Sequence, residues 1–178
     1  MRFLVLVFFF LSGACGLVYE VVWTKLFTLS MGSTTYAIST VIATFMAGLA
    51  FGSRYGGKWI DRKGDPLLTY GFLEGGVGLY CLAVPWLTSL IPIILGPFYD
   101  RYYTSNLFLF GFLRFLLSAG ILIIPTALMG ASLPVLARYY ASDKSRFGWD
   151  VGKLYSVNTL GAVCGSFTAG FLLLPFLG

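Results

Sequence analysis

The chain has 178 residues, 58% of them hydrophobic and 11% charged, with a mean hydropathy of +0.85, whereas soluble domains carry roughly 25% charge. No soluble core of this size can hide so much apolar surface, and the basic excess of 12 Lys and Arg over 7 Asp and Glu is confined to short connections, which argues against nucleic acid as a partner. Histidine is absent and the three cysteines form no CxxC or CxxxC pair, so no metal and no redox cofactor are expected.

A helix needs about 20 apolar residues to cross a bilayer. Five runs qualify, approximately 3–29, 34–56, 67–95, 107–137 and 154–177. The expected fold class is therefore all-α, a polytopic transmembrane helical bundle of about five spans forming one domain over 1–178, with the lipid bilayer as its first partner.

The first run begins at Arg2, and Leu11-Ser12-Gly13-Ala14-Cys15 resembles the end of a cleavable signal with a lipid-accepting cysteine. Such a signal wants a bulky aliphatic residue three before the cysteine, where Ser12 stands, and the apolar pattern continues through Val18, Val21, Val22 and Trp23. An uncleaved first helix is expected, carrying Glu20 and Lys25. In the second run Gly48, Gly52 and Gly56 recur every four residues, a spacing that lets helix backbones approach closely in lipid. Gly71 and Gly75 repeat it in the third run, around Glu74, and Gly161, Gly165 and Ala169 repeat it in the fifth. All are expected to be helix-packing positions, and Cys15, Cys81 and Cys164 are expected to be small buried apolar residues. The fourth run holds Arg114 and would be roughly 45 Å long as one helix against a hydrocarbon layer of about 30 Å, so a kink or break is expected near Pro125.

Basic residues cluster at Arg2, at Arg54, Lys58, Arg62 and Lys63, and at Arg138, Lys144, Arg146 and Lys153, while the opposite side holds Arg101. Positive loops stay on the cytoplasmic side. The expected location is a bacterial inner membrane, multi-pass, with the N-terminus inside. Charges in hydrocarbon are costly unless paired or wet, which makes Glu20, Lys25, Glu74 and Arg114 the candidate intramembrane polar residues. Glu20 and Arg114 fall at similar depth and are candidates for one ion pair; Lys25 is placed to reach the interface, and Glu74 within range of Arg54, Lys58 or Arg138.

Gly57-Lys58-Trp59-Ile60-Asp61-Arg62-Lys63-Gly64 resembles the cytoplasmic loop between the second and third spans of the major facilitator superfamily, with Asp65-Pro66 where that family has two more basic residues. The resemblance implies that Gly57, Asp61, Arg62 and Gly64 latch helix ends, and that the chain is like half of a major facilitator unit. A second resemblance covers more of the chain. The segments 17–25, 32–36 and 45–53, with Pro125-Thr126-Ala127-Leu128-Met129-Gly130-Ala131-Ser132-Leu133-Pro134 and Gly152-Lys153-Leu154-Tyr155-Ser156-Val157-Asn158-Thr159-Leu160-Gly161-Ala162, look like the membrane region of bacterial spermidine synthase-like proteins. In that family the spans often precede a soluble aminopropyltransferase-like domain, and the resemblance puts Glu20, Lys25 and Asn158 at the polar centre of the fold.

The glycine-rich nucleotide loop and the acidic polyamine site of the aminopropyltransferase domain are not found in these 178 residues, so the chain is not expected to be an enzyme. Relatives usually continue into further spans, and the chain reads as a short member or a piece of a longer one. The first expectation for function is an integral membrane scaffold that docks other membrane subunits, or anchors an aminopropyltransferase-like partner, through its glycine faces and its 17 Phe, 11 Tyr and 4 Trp. The alternative is a half-transporter that forms a homodimer around Glu20, Glu74, Arg114 and Asn158 to move a small cation such as a polyamine.

Overall fold

Where no water is available, a backbone must satisfy its own N–H and C=O groups, and apolar runs of this length do so as helices. The computed structural model describes residues 2–60, 64–102, 107–140 and 144–177, with backbone alone for 99–102, 107, 144 and 177. Within it stand five long helices: α1 (Arg2–Met31), α2 (Thr34–Ile60), α3 (Pro66–Tyr102), α4 (Leu107–Tyr140) and α5 (Phe147–Thr168). A 3₁₀ turn, Lys144–Arg146, leads into α5, which widens into a π turn over Ala169–Leu173 and ends in a short α6, Leu174–Leu177. Among the described residues there is no strand. Five helical segments are long and apolar enough to cross a membrane.

The helices run past the apolar windows because a helix stops at a cap or a turn residue, whereas apolarity marks only what hydrocarbon tolerates. Gly32, at φ +68°, closes α1, its amide donating to the Thr28 carbonyl at 3.0 Å. Asp65 caps α3: its Oδ1 accepts from the Leu67 amide at 2.8 Å, and Pro66 takes the first helical position, where a missing N–H costs nothing. The two residues that depart from the facilitator loop pattern thus act as a helix start.

The break expected near Pro125 does not form, and α4 is continuous through Pro125 and Pro134. Pro125 lacks the N–H that would bond the Ile121 carbonyl. The Tyr80 hydroxyl of α3 donates to that oxygen at 3.0 Å, and the Thr126 hydroxyl donates to the Leu122 carbonyl at 2.7 Å. With the freed acceptor satisfied from a neighbouring helix, the chain has no cause to open there.

Three seams hold the bundle. α2 packs on α4 through small residues: a side chain at Gly48 would meet Thr126, at Gly52 the Ala127 carbonyl, at Gly56 Ala131, and at Gly130 the Leu49 backbone. α1 packs on α5 the same way, with Gly161 against Phe10, Gly165 against Ala14 and Gly13 against Asn158. α3 meets its neighbours through a different device. Tyr70, Glu74, Val77, Cys81, Val84, Thr88, Ile91 and Leu95 alternate steps of four and three residues, and all are buried or half-buried, the spacing of a coiled-coil seam. Gly71 and Gly75 lie off that seam, exposed, with nothing within 4 Å of where a Cβ would stand. Among the described residues they pack against nothing, contrary to expectation, because the heptad row and not the glycine row faces the bundle. Cys15 and Cys164 are also exposed and Cys81 is half-buried, so the cysteines are not buried filler.

Candidate functional site

Glu74 sits on the α3 heptad row and is therefore turned towards α1 and α4. Ser12 of α1 donates to its Oε1 at 2.8 Å and Ser132 of α4 donates to the same oxygen at 3.1 Å. Three helices thus converge on one carboxylate. The two hydrogen bonds lower the cost of holding a polar group among apolar side chains. None of Arg54, Lys58 and Arg138 approaches it; all three are exposed, and among the described residues Glu74 makes no ion pair. The basic side chains stand at helix ends, whereas the serines are level with it.

Glu74 forms part of the wall of a cavity of about 530 Å³ between α1 and α3, together with Ser12, Cys15, Tyr19, Tyr70 and Met129. A second cavity, about 370 Å³, lies on the other side of α1 and reaches Tyr155 and Asn158. Ser12, Gly16 and Met129 line both. The Met129 sulfur lies 3.8 Å from where a Cβ of Gly16 would stand, so these two residues form a thin partition, one of them an unbranched, adaptable side chain. Asn158 donates through Nδ2 to the Phe9 carbonyl at 3.0 Å, pinning α5 to α1 over Gly13.

The other candidates are dispersed. Glu20 is half-buried, and among the described residues its carboxylate makes no hydrogen bond or ion pair; only its backbone carbonyl is engaged, by the Thr24 hydroxyl at 2.8 Å. Lys25 is exposed on α1 and is not part of a polar centre. Arg114 does not reach Glu20. Its Nη1 donates to the Met31 carbonyl at 2.8 Å, and its guanidinium carbon lies 4.6 Å from the Phe110 ring centroid, some 16 Å farther along α1 than Glu20 at 1.5 Å per residue. Of the loop residues, Gly57 lies against Pro134 and Gly64 takes a φ of +122° that favours glycine, while Asp61 and Arg62 lie outside the described residues.

Ser12, Ser132, Tyr70 and Met129 were not legible as site residues. Serine carries no charge to stand out in an apolar run, and Ser12 fell in a segment whose visible signal was its likeness to a cleavage site.

The chain is 28% identical over 178 residues to Polyamine aminopropyltransferase 2 of Streptomyces coelicolor and 27% identical to Polyamine aminopropyltransferase 1 of the same organism, each alignment covering 99% of this chain and 30% of the relative. The chain therefore spans about three-tenths of the length of the curated relatives it matches. This agrees, in its coarse form, with the resemblance carried by the five sequence blocks. No family profile and no solved structure matches the chain.

Proposed function

We propose that the chain is a membrane-spanning module of the bacterial inner membrane, N-terminus inside, that docks with other membrane subunits or anchors an aminopropyltransferase-like partner. The observation that carries this reading is the end-to-end alignment of an all-helical chain with only 30% of two polyamine aminopropyltransferases. Large apolar side chains such as Phe72, Leu79, Trp86, Phe108 and Phe176 face outward, which suits contact with lipid or with other helices. The bundle resembles half of a facilitator unit in its loop pattern. Gentle extraction from the native membrane, with the complex weighed and its chains identified, tests the reading. A partner at fixed stoichiometry is expected, and a stable lone monomer argues against docking.

The Ser12–Glu74–Ser132 cluster favours a second reading, a half-transporter in which Glu74 binds a small organic cation such as a polyamine at the cavity wall. Glu74 is its centre in place of the wider set of Glu20, Glu74, Arg114 and Asn158, a reading supported by the serine bonds it accepts from two other helices. In liposomes Glu74→Gln should abolish cation uptake at unchanged expression, with Glu20→Gln nearly silent. Uptake that survives Glu74→Gln removes this reading.

A further inference from the structure

The end of the bundle at the α1–α2 turn holds a polar feature that neither reading uses. A cavity of about 500 Å³ is lined there by Ser33, Tyr36, Thr40 and Arg114, with Phe108 and Phe112 among its apolar walls. The two contacts of Arg114, to the Met31 carbonyl and the Phe110 ring, orient the guanidinium without neutralising it, because a helix C-terminus brings roughly half an elementary charge. Among the described residues no carboxylate pairs with Arg114, and one bond occupies one of the five N–H donors of an arginine. Beside it α2 begins at Thr34, and the first amide of that helix to find an acceptor one turn back is Ala37, at 3.2 Å from the Ser33 carbonyl. The amides of Thr34, Thr35 and Tyr36 therefore have no acceptor within the helix.

An independent observation points to a ligand. Thr40 is 4% exposed and lines this cavity, and among the described residues its hydroxyl makes no hydrogen bond. The usual escape for a helical threonine, donation to the carbonyl four residues back, is taken by Thr24, Thr28 and Thr126 but by neither Thr40 nor Thr44, and of these two Thr40 is the one that lines the cavity.

We propose that this cavity binds the headgroup of an acidic phospholipid. The phosphate oxygens lie between the Arg114 guanidinium and the first-turn amides of α2, a helix start being suited to such an anion. Thr40, roughly 6 to 9 Å deeper along α2 at 1.5 Å per residue, reaches the ester or glycerol oxygens beyond the phosphate. Phe108, 84% exposed, and Phe112 form the apolar rim of the cavity at its outer end. Free phosphate shares the oxyanion chemistry but is too short to engage the rim and Thr40 together. Only the lipid as source rests on the membrane reading; the oxyanion site does not.

The test is native mass spectrometry of the purified chain titrated with phosphatidylglycerol and, separately, phosphatidylcholine, with inorganic phosphate as competitor. Phosphatidylglycerol should be retained with about tenfold preference, the scale of one charge-assisted contact. Arg114→Gln should erase the preference and Arg114→Lys keep part of it. Thr40→Val should weaken lipid binding several-fold while leaving thermal stability and competition by phosphate unchanged. Equal retention of the two lipids by the wild-type chain overturns the proposal, as does a preference untouched by Arg114→Gln. Because Arg114 also caps α1, a misfolded Gln variant leaves the decision to Arg114→Lys and Thr40→Val, and full preference in both is equally fatal. Arginine-dependent binding of inorganic phosphate without lipid preference shows that the site takes free oxyanions and overturns the lipid assignment. Recovery of the chain from the soluble fraction would remove the membrane reading by a separate route.

Discussion

Glu74 is costly to bury and inexpensive to keep once Ser12 and Ser132 donate to it. Glu74→Ala removes the shared acceptor, leaving the Ser12 hydroxyl without a partner and Ser132 with only the Leu128 carbonyl at 3.4 Å, which should cost about 1–3 kcal/mol. Glu74→Gln keeps an acceptor oxygen in the same place for both serines and should cost less than about 1 kcal/mol. Thermal unfolding of the two variants in the same detergent measures the difference, and equal losses would mean that the serine bonds contribute nothing. The charge itself stood out in the sequence, an acidic residue in an apolar run. Its partners did not, because a lone serine in hydrocarbon-like surroundings is equally at home bonding its own helix, as Ser89 and Ser156 do.

At the scale of the element, glycines with the same spacing have opposite roles. Gly52 lies against the Ala127 backbone and Gly75 lies in open space. Gly52→Ala forces α2 and α4 apart and should cost about 1–3 kcal/mol, as overpacking does. Gly75→Ala should leave the isolated chain unchanged or raise its stability by up to about 1 kcal/mol through helix propensity. Comparison of their melting temperatures checks both, and a destabilised Gly75→Ala monomer would contradict the placement of α3.

The proline of α4 allows a sharper experiment at this scale. Tyr80→Phe strips the Ile121 carbonyl of its hydroxyl donor and should cost about 1 kcal/mol. In a Pro125→Ala background the restored amide takes that carbonyl, and the cost of Tyr80→Phe should fall towards zero. A double-mutant cycle reads this coupling directly, and additive losses would mean that Tyr80 does not stand in for the missing N–H.

For the whole molecule, outward-facing Phe, Trp and Leu on every long helix leave no polar coat for water. The expressed chain should stay in the membrane pellet through an alkaline carbonate wash and leave it only with detergent. Release by carbonate alone would show peripheral attachment and end the spanning interpretation.

Composition and run length alone determined that this chain is helical, with five long apolar helices, since continuous apolar runs of more than about 20 residues satisfy their own backbone groups as helices, whereas barrel strands are shorter and alternate in polarity. The sequence also marked Gly48, Gly52, Gly56, Gly161 and Gly165 as positions for close approach, but it marked Gly71 and Gly75 by the same spacing, so which stripes pack, and on which helix, was left to the tertiary structure. Which face of α3 turns inward was decided by the tertiary structure. In a helix that is apolar all round, no periodic contrast marks the buried side, and the heptad row from Tyr70 to Leu95 becomes visible only once its neighbours are in place. The continuity of α4 through Pro125, the separation of Glu20 from Arg114 and the convergence of Ser12 and Ser132 on Glu74 have the same origin. Each depends on a contact between residues more than 40 positions apart or on the absence of one, and spacing along the chain holds no record of such contacts.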